Sequence, residues 1–172
     1  KALLNAGKLV DDPSKPRLLL TFKSGREVFM GLAESNNSAM WPMGIPRLKF
    51  PRDAPSRSTL KLEEAWHHFI PRDQWDERLH GDMTGVDLGA APGGWTWQLV
   101  NRGMLVTAID NGPMAESLMD TGLVQHLMAD GFTFVPKQPV DWMVCDIVEK
   151  PARNAARLET WTGAGHCREA VV

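Results

Sequence analysis

The 172-residue chain has few cysteines, no long apolar segment and no excess of basic residues. Its two cysteines, Cys145 and Cys167, are too few for a disulfide framework and lack metal-ligand spacing, so we expect a reducing, cytoplasmic setting and no structural metal. The sequence contains no candidate membrane span, which argues against a membrane partner. A net charge of -2 argues against a surface that coats nucleic acid throughout, but it is compatible with a local basic patch.

The stretch from Gly85 to Thr96, GVDLGAAPGGWT, reads as a strand that runs into a glycine loop and then a helix. Three glycines allow a ligand to approach the backbone closely: Gly89, Gly93 and Gly94. Asp87, near the carboxyl end of the strand, is expected to point into the resulting crevice. The Gly-x-Gly-x-x-Gly pattern of dinucleotide sites is missing, and Pro92 stands where a pyrophosphate needs bare amides. The pattern therefore favours S-adenosylmethionine, and the simpler alternative is a glycine turn that only packs helix on strand.

Beyond residue 58 the hydrophobic pattern alternates between strands and helices, which predicts an α/β fold with a doubly wound parallel sheet. The predicted strands cover 84–88, 104–109, 123–128, 141–145 and a last one opening at 168; the helices cover 95–102, 114–120 and 152–162. An aspartate lies at the end of each of four strands: Asp87, Asp110, Asp130 and Asp146. Since ligands bind at the carboxyl ends of such strands, we expect Asp110 to accept ribose hydroxyls, Asp130 the adenine amino group, and Asp146 to face the reacting methyl. Any one of them alone could instead cap the next helix.

An amphipathic helix is predicted to begin after an N-cap at Ser58 and to end near Pro71. Lys61 lies in its first turn, where a cation opposes the helix dipole, so it is either a functional residue or a tolerated surface lysine. The histidines are interpreted as structural or surface residues: His67, His68, His80, His126 and His166.

The first 57 residues are predicted to lie outside the α/β domain. The chain opens without methionine in a short predicted helix over 1–9, and strands over 17–23 and 26–33 follow, so we expect residues 1–35 to end a preceding domain of a longer protein. Residues 36–57 lack regular periodicity, and their four prolines exclude a long helix. Basic residues interleaved with Trp41 and Phe50 suit either an RNA contact or a solvated linker: Arg47, Lys49, Arg52 and Arg57.

Four motifs resemble those of the FtsJ-like ribose 2'-O-methyltransferases: Asp87–Trp95, Asp110–Met114, Asp130–Phe132 and Trp142–Asp146. Residues 43–51, 56–64 and 143–151 resemble, more narrowly, the members that methylate a cytidine ribose of 23S ribosomal RNA. The resemblance implies a Rossmann-like, S-adenosylmethionine-dependent methyltransferase domain over 58–172, incomplete at its C-terminus. It also implies that residues 1–35 are the tail of a THUMP-containing RNA-binding region. We favour a monomer.

The resemblance also assigns site residues. The family uses a lysine, aspartate, lysine, glutamate tetrad, whose first two positions match Lys61 and Asp146, and the other two are expected beyond Val172. The implied cofactor contacts are Ser58, Ala91, Pro92, Gly93, Gly94, Asp110, Asp130 and Asp146, to which the glycine corner adds Asp87, Gly89 and Trp95. Two alternatives stay open at this point: an RNA-binding module that binds the cofactor without catalysis, and a nucleotide-cofactor oxidoreductase.

Overall fold

The computed structural model describes residue 12, residues 14–39 and residues 41–172. The helix predicted over 1–9 lies outside these residues. The chain divides into two compact units, Lys1–Arg47 and Leu48–Val172. The division falls within the proline-rich stretch over 36–57.

The first unit contains an antiparallel hairpin of strands β1 (Arg17–Phe22) and β2 (Val28–Ala33). Short 3-10 turns follow at Ser35–Asn37 and Pro42–Gly44. Both strands were predicted, and each is slightly shorter than its hydrophobic pattern. Their apolar side chains are mostly exposed, because a two-stranded sheet cannot bury a core by itself.

The second unit alternates helices and strands in the predicted order. Its helices are α1 (Thr59–Phe69), α2 (Trp75–Arg78), α3 (Gly94–Val100), α4 (Glu116–Met119) and α5 (Pro151–Gly163). Its strands are β3 (Thr84–Leu88), β4 (Leu105–Ile109), β5 (Val124–Leu127), β6 (Val140–Cys145) and β7 (Cys167–Val171). The short helix α2 and the 3-10 turn Arg72–Gln74 that precedes it were not predicted.

The five strands form one parallel sheet in the order β5-β4-β3-β6-β7. Alternate residues of the central strands face opposite layers, as their period of two requires. On one face Trp66, Leu99 and Trp142 form a core with α1 and α3, and on the other Val86, Met143 and Trp161 form a core with α5. Helices thus cover both faces, and the predicted doubly wound α/β fold is confirmed.

The start of α1 differs from the prediction. Ser58 stands at the N-cap position, but its backbone is already helical and its side chain caps no helix N–H. Its hydroxyl lies 3.1 Å from the Ser56 hydroxyl instead, and the backbone N–H of Lys61 donates to the Ser58 carbonyl. The predicted serine cap is therefore wrong, because a tight turn over 56–58 already satisfies the first N–H groups of the helix.

Candidate active site

The strand order brings the ends of β3, β4 and β6 side by side, so the predicted aspartates gather at one edge of the sheet. A cavity of about 200 Å³ opens there. Its lining consists of Ser56, Ser58, Asp87, Gly89, Ala90, Ala91, Pro92, Trp95 and Asp146. Seven of the predicted catalytic and cofactor-binding residues line it, and the other five lie outside this lining: Lys61, Gly93, Gly94, Asp110 and Asp130. Neither lysine nor arginine is present among the lining residues, so the walls favour hydroxyl or cationic ligand groups over phosphates.

The glycines of the corner are required by packing inside the protein. A Cβ on Gly93, whose φ is 117°, would collide with Leu118, and one on Gly94 would collide with the hydroxyl of Ser58. A Cβ on Gly89, whose φ is 77°, would likewise collide with the side chain of Ile147. These contacts bring α1, the glycine loop and the loop after β6 together, which the sequence pattern alone did not indicate.

Helix α1 is fastened to the start of α3 by hydrogen bonds between residues far apart in the chain. The Thr59 hydroxyl donates to the Gly94 carbonyl, and the indole N–H of Trp95 donates to the Ser58 carbonyl at 2.9 Å. The side-chain amide of Gln98 donates to the Thr59 carbonyl at 3.1 Å. Trp95, predicted as a cofactor contact, is buried and also serves this junction. The first turn of α1 is therefore held at the edge of the cavity.

Lys61 and Asp146 meet at this edge. The Lys61 Nζ lies 2.9 Å from both carboxylate oxygens of Asp146, across 85 positions of sequence. The lysine side chain is 62% exposed and the aspartate side chain 29%, and of the two only Asp146 lines the cavity. Lys61 therefore occupies a defined position beside a strand-end carboxylate, which supports the functional interpretation over that of a tolerated surface lysine.

Asp110 and Asp130 accept hydrogen bonds from backbone N–H groups, and neither is the N-cap of a helix. Asp110 Oδ2 accepts the Ala91 N–H at 3.0 Å and Oδ1 accepts the Gly112 N–H at 2.7 Å. Asp130 Oδ1 accepts the Phe132 N–H at 2.8 Å. Each carboxylate oxygen can accept a second bond, so these contacts orient the carboxylates and leave acceptor capacity for a ligand.

Asp87 is the buried acid of the site. Its Oδ2 accepts the Thr96 hydroxyl at 2.7 Å, and only 1% of the residue is exposed. Burial raises the pKa of Asp87 to about 7, with the Thr96 hydrogen bonds opposing this rise and the nearby Asp146 and Asp110 carboxylates adding to it. The group therefore titrates near neutral pH, unlike an exposed aspartate.

This pKa makes stability depend on pH. In the unfolded chain Asp87 loses its proton near pH 3.8, whereas the folded protein keeps it to about 7. Between these values the folded state binds more protons, so the free energy of unfolding falls as pH rises, by an amount on the order of 4 kcal/mol for such a shift. We expect Asp87→Asn, which stays neutral, to remove this loss. Urea denaturation at pH 5 and pH 8 measures the change in the free energy of unfolding, and Asp53→Asn, at an exposed position, is the control. If this change is the same in the parent and in Asp87→Asn, the assignment of the raised pKa to Asp87 is contradicted.

Helix α5 holds the two loops that carry Asp130 and Asp146, a role that the sequence analysis missed. The Arg153 guanidinium carbon lies 3.9 Å from the centre of the Phe132 ring, and its Nη1 lies 2.6 Å from a Glu149 carboxylate oxygen. The Asn154 side chain donates to the Ile147 carbonyl at 3.1 Å, and Arg157 donates to the Phe134 carbonyl. The four-residue spacing of Glu149 and Arg153 was the only sequence signal for this arrangement.

Comparison with known proteins decides the family. A family model described as "FtsJ-like methyltransferase" matches residues 54–159, more than half of the chain. The chain belongs to the FtsJ-like methyltransferase family. The predicted resemblance is confirmed, and with it methyltransferase is favoured over oxidoreductase.

Three curated relatives of this FtsJ-like chain carry the name "Ribosomal RNA large subunit methyltransferase M". The identity is 98% for the one from Pseudomonas fluorescens strain SBW25, 91% for the one from P. fluorescens strain Pf-5 and 81% for the one from P. putida KT2440. Each alignment covers 100% of this chain and 48%, 48% and 49% of the relative, respectively. The chain thus spans about half the length of the curated relatives it matches. The narrower resemblance of residues 43–51, 56–64 and 143–151 agrees with this name.

The basic residues predicted to contact RNA lie before the matched FtsJ-like region or at its start. All four are exposed: Arg47, Lys49, Arg52 and Arg57. Within the second unit, the Arg57 guanidinium carbon lies 5.7 Å from the centre of the Phe50 ring. Their role in RNA binding stays a prediction. No helix among the described residues is long and apolar enough to cross a membrane.

Proposed function

We propose that this protein transfers a methyl group from S-adenosylmethionine to a ribose 2'-hydroxyl of ribosomal RNA, at a cytidine of the 23S molecule. Family membership supports the reaction class, and the name shared by the relatives supports a large-subunit ribosomal RNA as substrate. The observation that carries the proposal is the Lys61–Asp146 pair at the edge of a cavity formed by the glycine corner.

The residues of the cavity fit the cofactor. Its walls combine residues 89–92 with the carboxylates of Asp87 and Asp146 and carry no basic side chain, which suits a ligand with an ammonium group and no phosphates. Asp87 would face the cationic amino acid part, and Asp110, at the end of the adjacent strand β4, would accept the ribose hydroxyls. Asp130 would lie beside the adenine base of the cofactor. When bound, S-adenosylmethionine supplies an electrophilic methyl on a sulfonium sulfur.

The protein's own contribution is to orient the acceptor hydroxyl and stabilise its developing charge. The Lys61 ammonium can donate a hydrogen bond to the 2'-oxygen as that oxygen attacks, while Asp146 keeps the ammonium in place at 2.9 Å. When bound, the cofactor would supply the methyl group and leave as S-adenosylhomocysteine, and the hydroxyl proton would have to pass to a basic group of the protein. The resemblance implies a second lysine as the main proton acceptor, and this assignment remains a proposal.

Substitution of Asp110 tests the cofactor arrangement. We expect Asp110→Ala to weaken S-adenosylhomocysteine binding by about 1–3 kcal/mol, because charge-assisted hydrogen bonds to the ribose are lost. Asp110→Asn is the matched control: it retains an oxygen acceptor for the loop N–H groups of Ala91 or Gly112 but lacks the charge. Calorimetric titration gives both affinities. An unchanged dissociation constant in folded Asp110→Ala would refute the ribose assignment.

RNA is proposed to reach the site over the basic segment. Arg47, Lys49, Arg52 and Arg57 provide exposed cations, and Phe50 provides an aromatic surface beside Arg57. Such a combination binds a phosphate backbone and stacks on bases.

The direct test is incorporation of labelled methyl by the full-length protein into 23S RNA isolated from cells that lack the activity. We expect incorporation into a single cytidine ribose, located by nuclease digestion and mass spectrometry, and none into fully modified RNA. Binding of cofactor and RNA without incorporation would support the module without catalysis, and a methyl group on a base would refute 2'-O transfer.

A further inference from the structure

A second cationic feature lies outside the cavity, at the end of α1 that is remote from Lys61. The guanidinium carbons of Arg72 and Arg102 lie 4.0 Å and 4.7 Å from the centre of the Trp75 ring, and Arg102 also lies 5.6 Å from the ring of Trp66. The indole of Trp75 is fixed, since its N–H donates to the Ile70 carbonyl at 3.1 Å. Two cations thus share one buried aromatic side chain.

Neither guanidinium has an anionic partner within the described part of the chain. The ion pairs and hydrogen bonds found there include none made by the side chain of Arg72 or Arg102. Arg102 is partly buried, and burial followed by the charge of Arg72 lowers the pKa of Arg102, although Glu63 and Asp76 oppose this effect. Two like charges brought this close, one of them partly desolvated, favour the approach of an external anion.

The geometry suits a phosphate in particular. Stacking on an indole covers the flat face of a guanidinium and leaves its N–H edges available, and these edges match two phosphate oxygens. By contrast, Arg78, nearby in sequence, already holds Glu169 through two short contacts of 2.6 Å and 2.5 Å. Arg72 and Arg102 therefore differ from Arg78 in having unused donors beside an aromatic ring.

The pair is also connected rigidly to the proposed reaction site. Helix α1 carries Lys61 near its start and ends at Phe69, eight residues later, a rise of about 12 Å along the axis, and Arg72 follows that end. Arg102 follows the end of α3, whose first residue, Gly94, contacts the start of α1. The separation along these helices is comparable to the length of a few nucleotides of single-stranded RNA.

We propose that Arg72 and Arg102, stacked on Trp75, form a subsite for a backbone phosphate of the substrate RNA, a few nucleotides from the ribose held at Lys61. This inference rests on the proposed function for the identity of the RNA. Its recognition chemistry is independent of sequence, because phosphate contacts position a strand without reading its bases.

The test is RNA affinity as a function of salt. A fluorescent single-stranded RNA of about 12 nucleotides is titrated with the protein, the variant Arg72→Gln/Arg102→Gln and the charge-matched control Lys137→Gln/Arg168→Gln. We expect the first variant to bind at least tenfold more weakly than the control at low salt. Its plot of log affinity against log salt should be shallower by about 1.4, the value for two lost phosphate contacts on a single strand.

A second measurement identifies the ligand and separates a binding role from a structural one. Trp75 has an indole N–H resonance, assigned through Trp75→Phe, that should move on addition of RNA and much less with inorganic phosphate at equal concentration. Arg72→Lys/Arg102→Lys should recover part of the salt slope, since it restores charge without the guanidinium fork.

The outcomes separate the two proposals. Equal affinity and salt slope for the Arg72→Gln/Arg102→Gln variant and the control would refute the subsite, even if methyl transfer to RNA is observed. Failure of the parent protein to bind RNA at all would refute the proposed RNA substrate. An equal response to inorganic phosphate and to RNA would show a general anion site, and a lower melting temperature with unchanged RNA binding would show a purely structural role; both results overturn the proposal.

Discussion

In the full-length protein, replacing Lys61 with alanine should lower methyl transfer by a factor of about 100 or more, with little change in cofactor affinity. The reason is positional: the Lys61 Nζ is held 2.9 Å from both oxygens of Asp146 at the edge of the cavity, where an acceptor hydroxyl can reach it. Loss of a group that orients and stabilises a developing oxyanion reduces the rate of the chemical step. Single-turnover transfer of labelled methyl to undermodified 23S RNA, together with calorimetric titration of S-adenosylhomocysteine, measures the two quantities separately.

Two variants make this result specific. Lys61→Arg keeps a cation near Asp146 but changes its shape, so an intermediate rate is expected. Lys137→Ala removes an exposed lysine outside the cavity lining and should leave the rate at the parent value. If Lys61→Ala transfers methyl groups as fast as the parent, Lys61 is an ordinary surface lysine and the proposed site loses its main support.

Gly94→Ala should destabilise the fold by about 1–3 kcal/mol and reduce methyl transfer by roughly 100-fold. A Cβ at this position would collide with the Ser58 hydroxyl and come within 3.1 Å of the Thr59 backbone nitrogen. Helix α1 would have to move away from α3, and Lys61 would move with it. Urea denaturation and single-turnover kinetics detect the two effects.

Gly163→Ala is the matched control, since a Cβ at Gly163 meets nothing within 4 Å and the residue is the last of α5. It should leave stability unchanged or slightly raised, because alanine is the better helix former. Parent-like stability and rate in Gly94→Ala would show that α1 tolerates displacement. The close contact between the starts of α1 and α3 would then not be needed for methyl transfer.

The fold could be predicted largely from sequence because its signals are local. Buried strands such as Val140–Cys145 show apolar runs, and the turns between elements carry glycine and proline. The end of α1 and the extent of α4 were less accurate, since tertiary contacts decide where a short helix stops. Helix α2 was missed because four residues, WDER, give too little periodicity to detect.

The site was predictable in its parts and less so in its assembly. The strand-end positions of Asp87 and Asp146 followed from the pattern of parallel strands, and their approach followed from adjacent positions of β3 and β6 in the sheet. The stacking of Arg153 on Phe132 and of Arg72 on Trp75 could not be predicted, because such contacts depend on how helices pack after the sheet has formed. The serine cap failed for a similar reason: Ser58 is committed to the tight turn and to the junction with Trp95.

The turn over residues 56–58 has a mechanical consequence. It joins the basic segment directly to α1, with no independent element between them, so tension along that segment would be borne first by the Ser58 and Thr59 hydrogen bonds to α3. These hydrogen bonds hold the backbone just before Lys61, which lies only two residues beyond Thr59. If RNA binds this segment as proposed, its motion would reach the ammonium group only after these hydrogen bonds were disturbed.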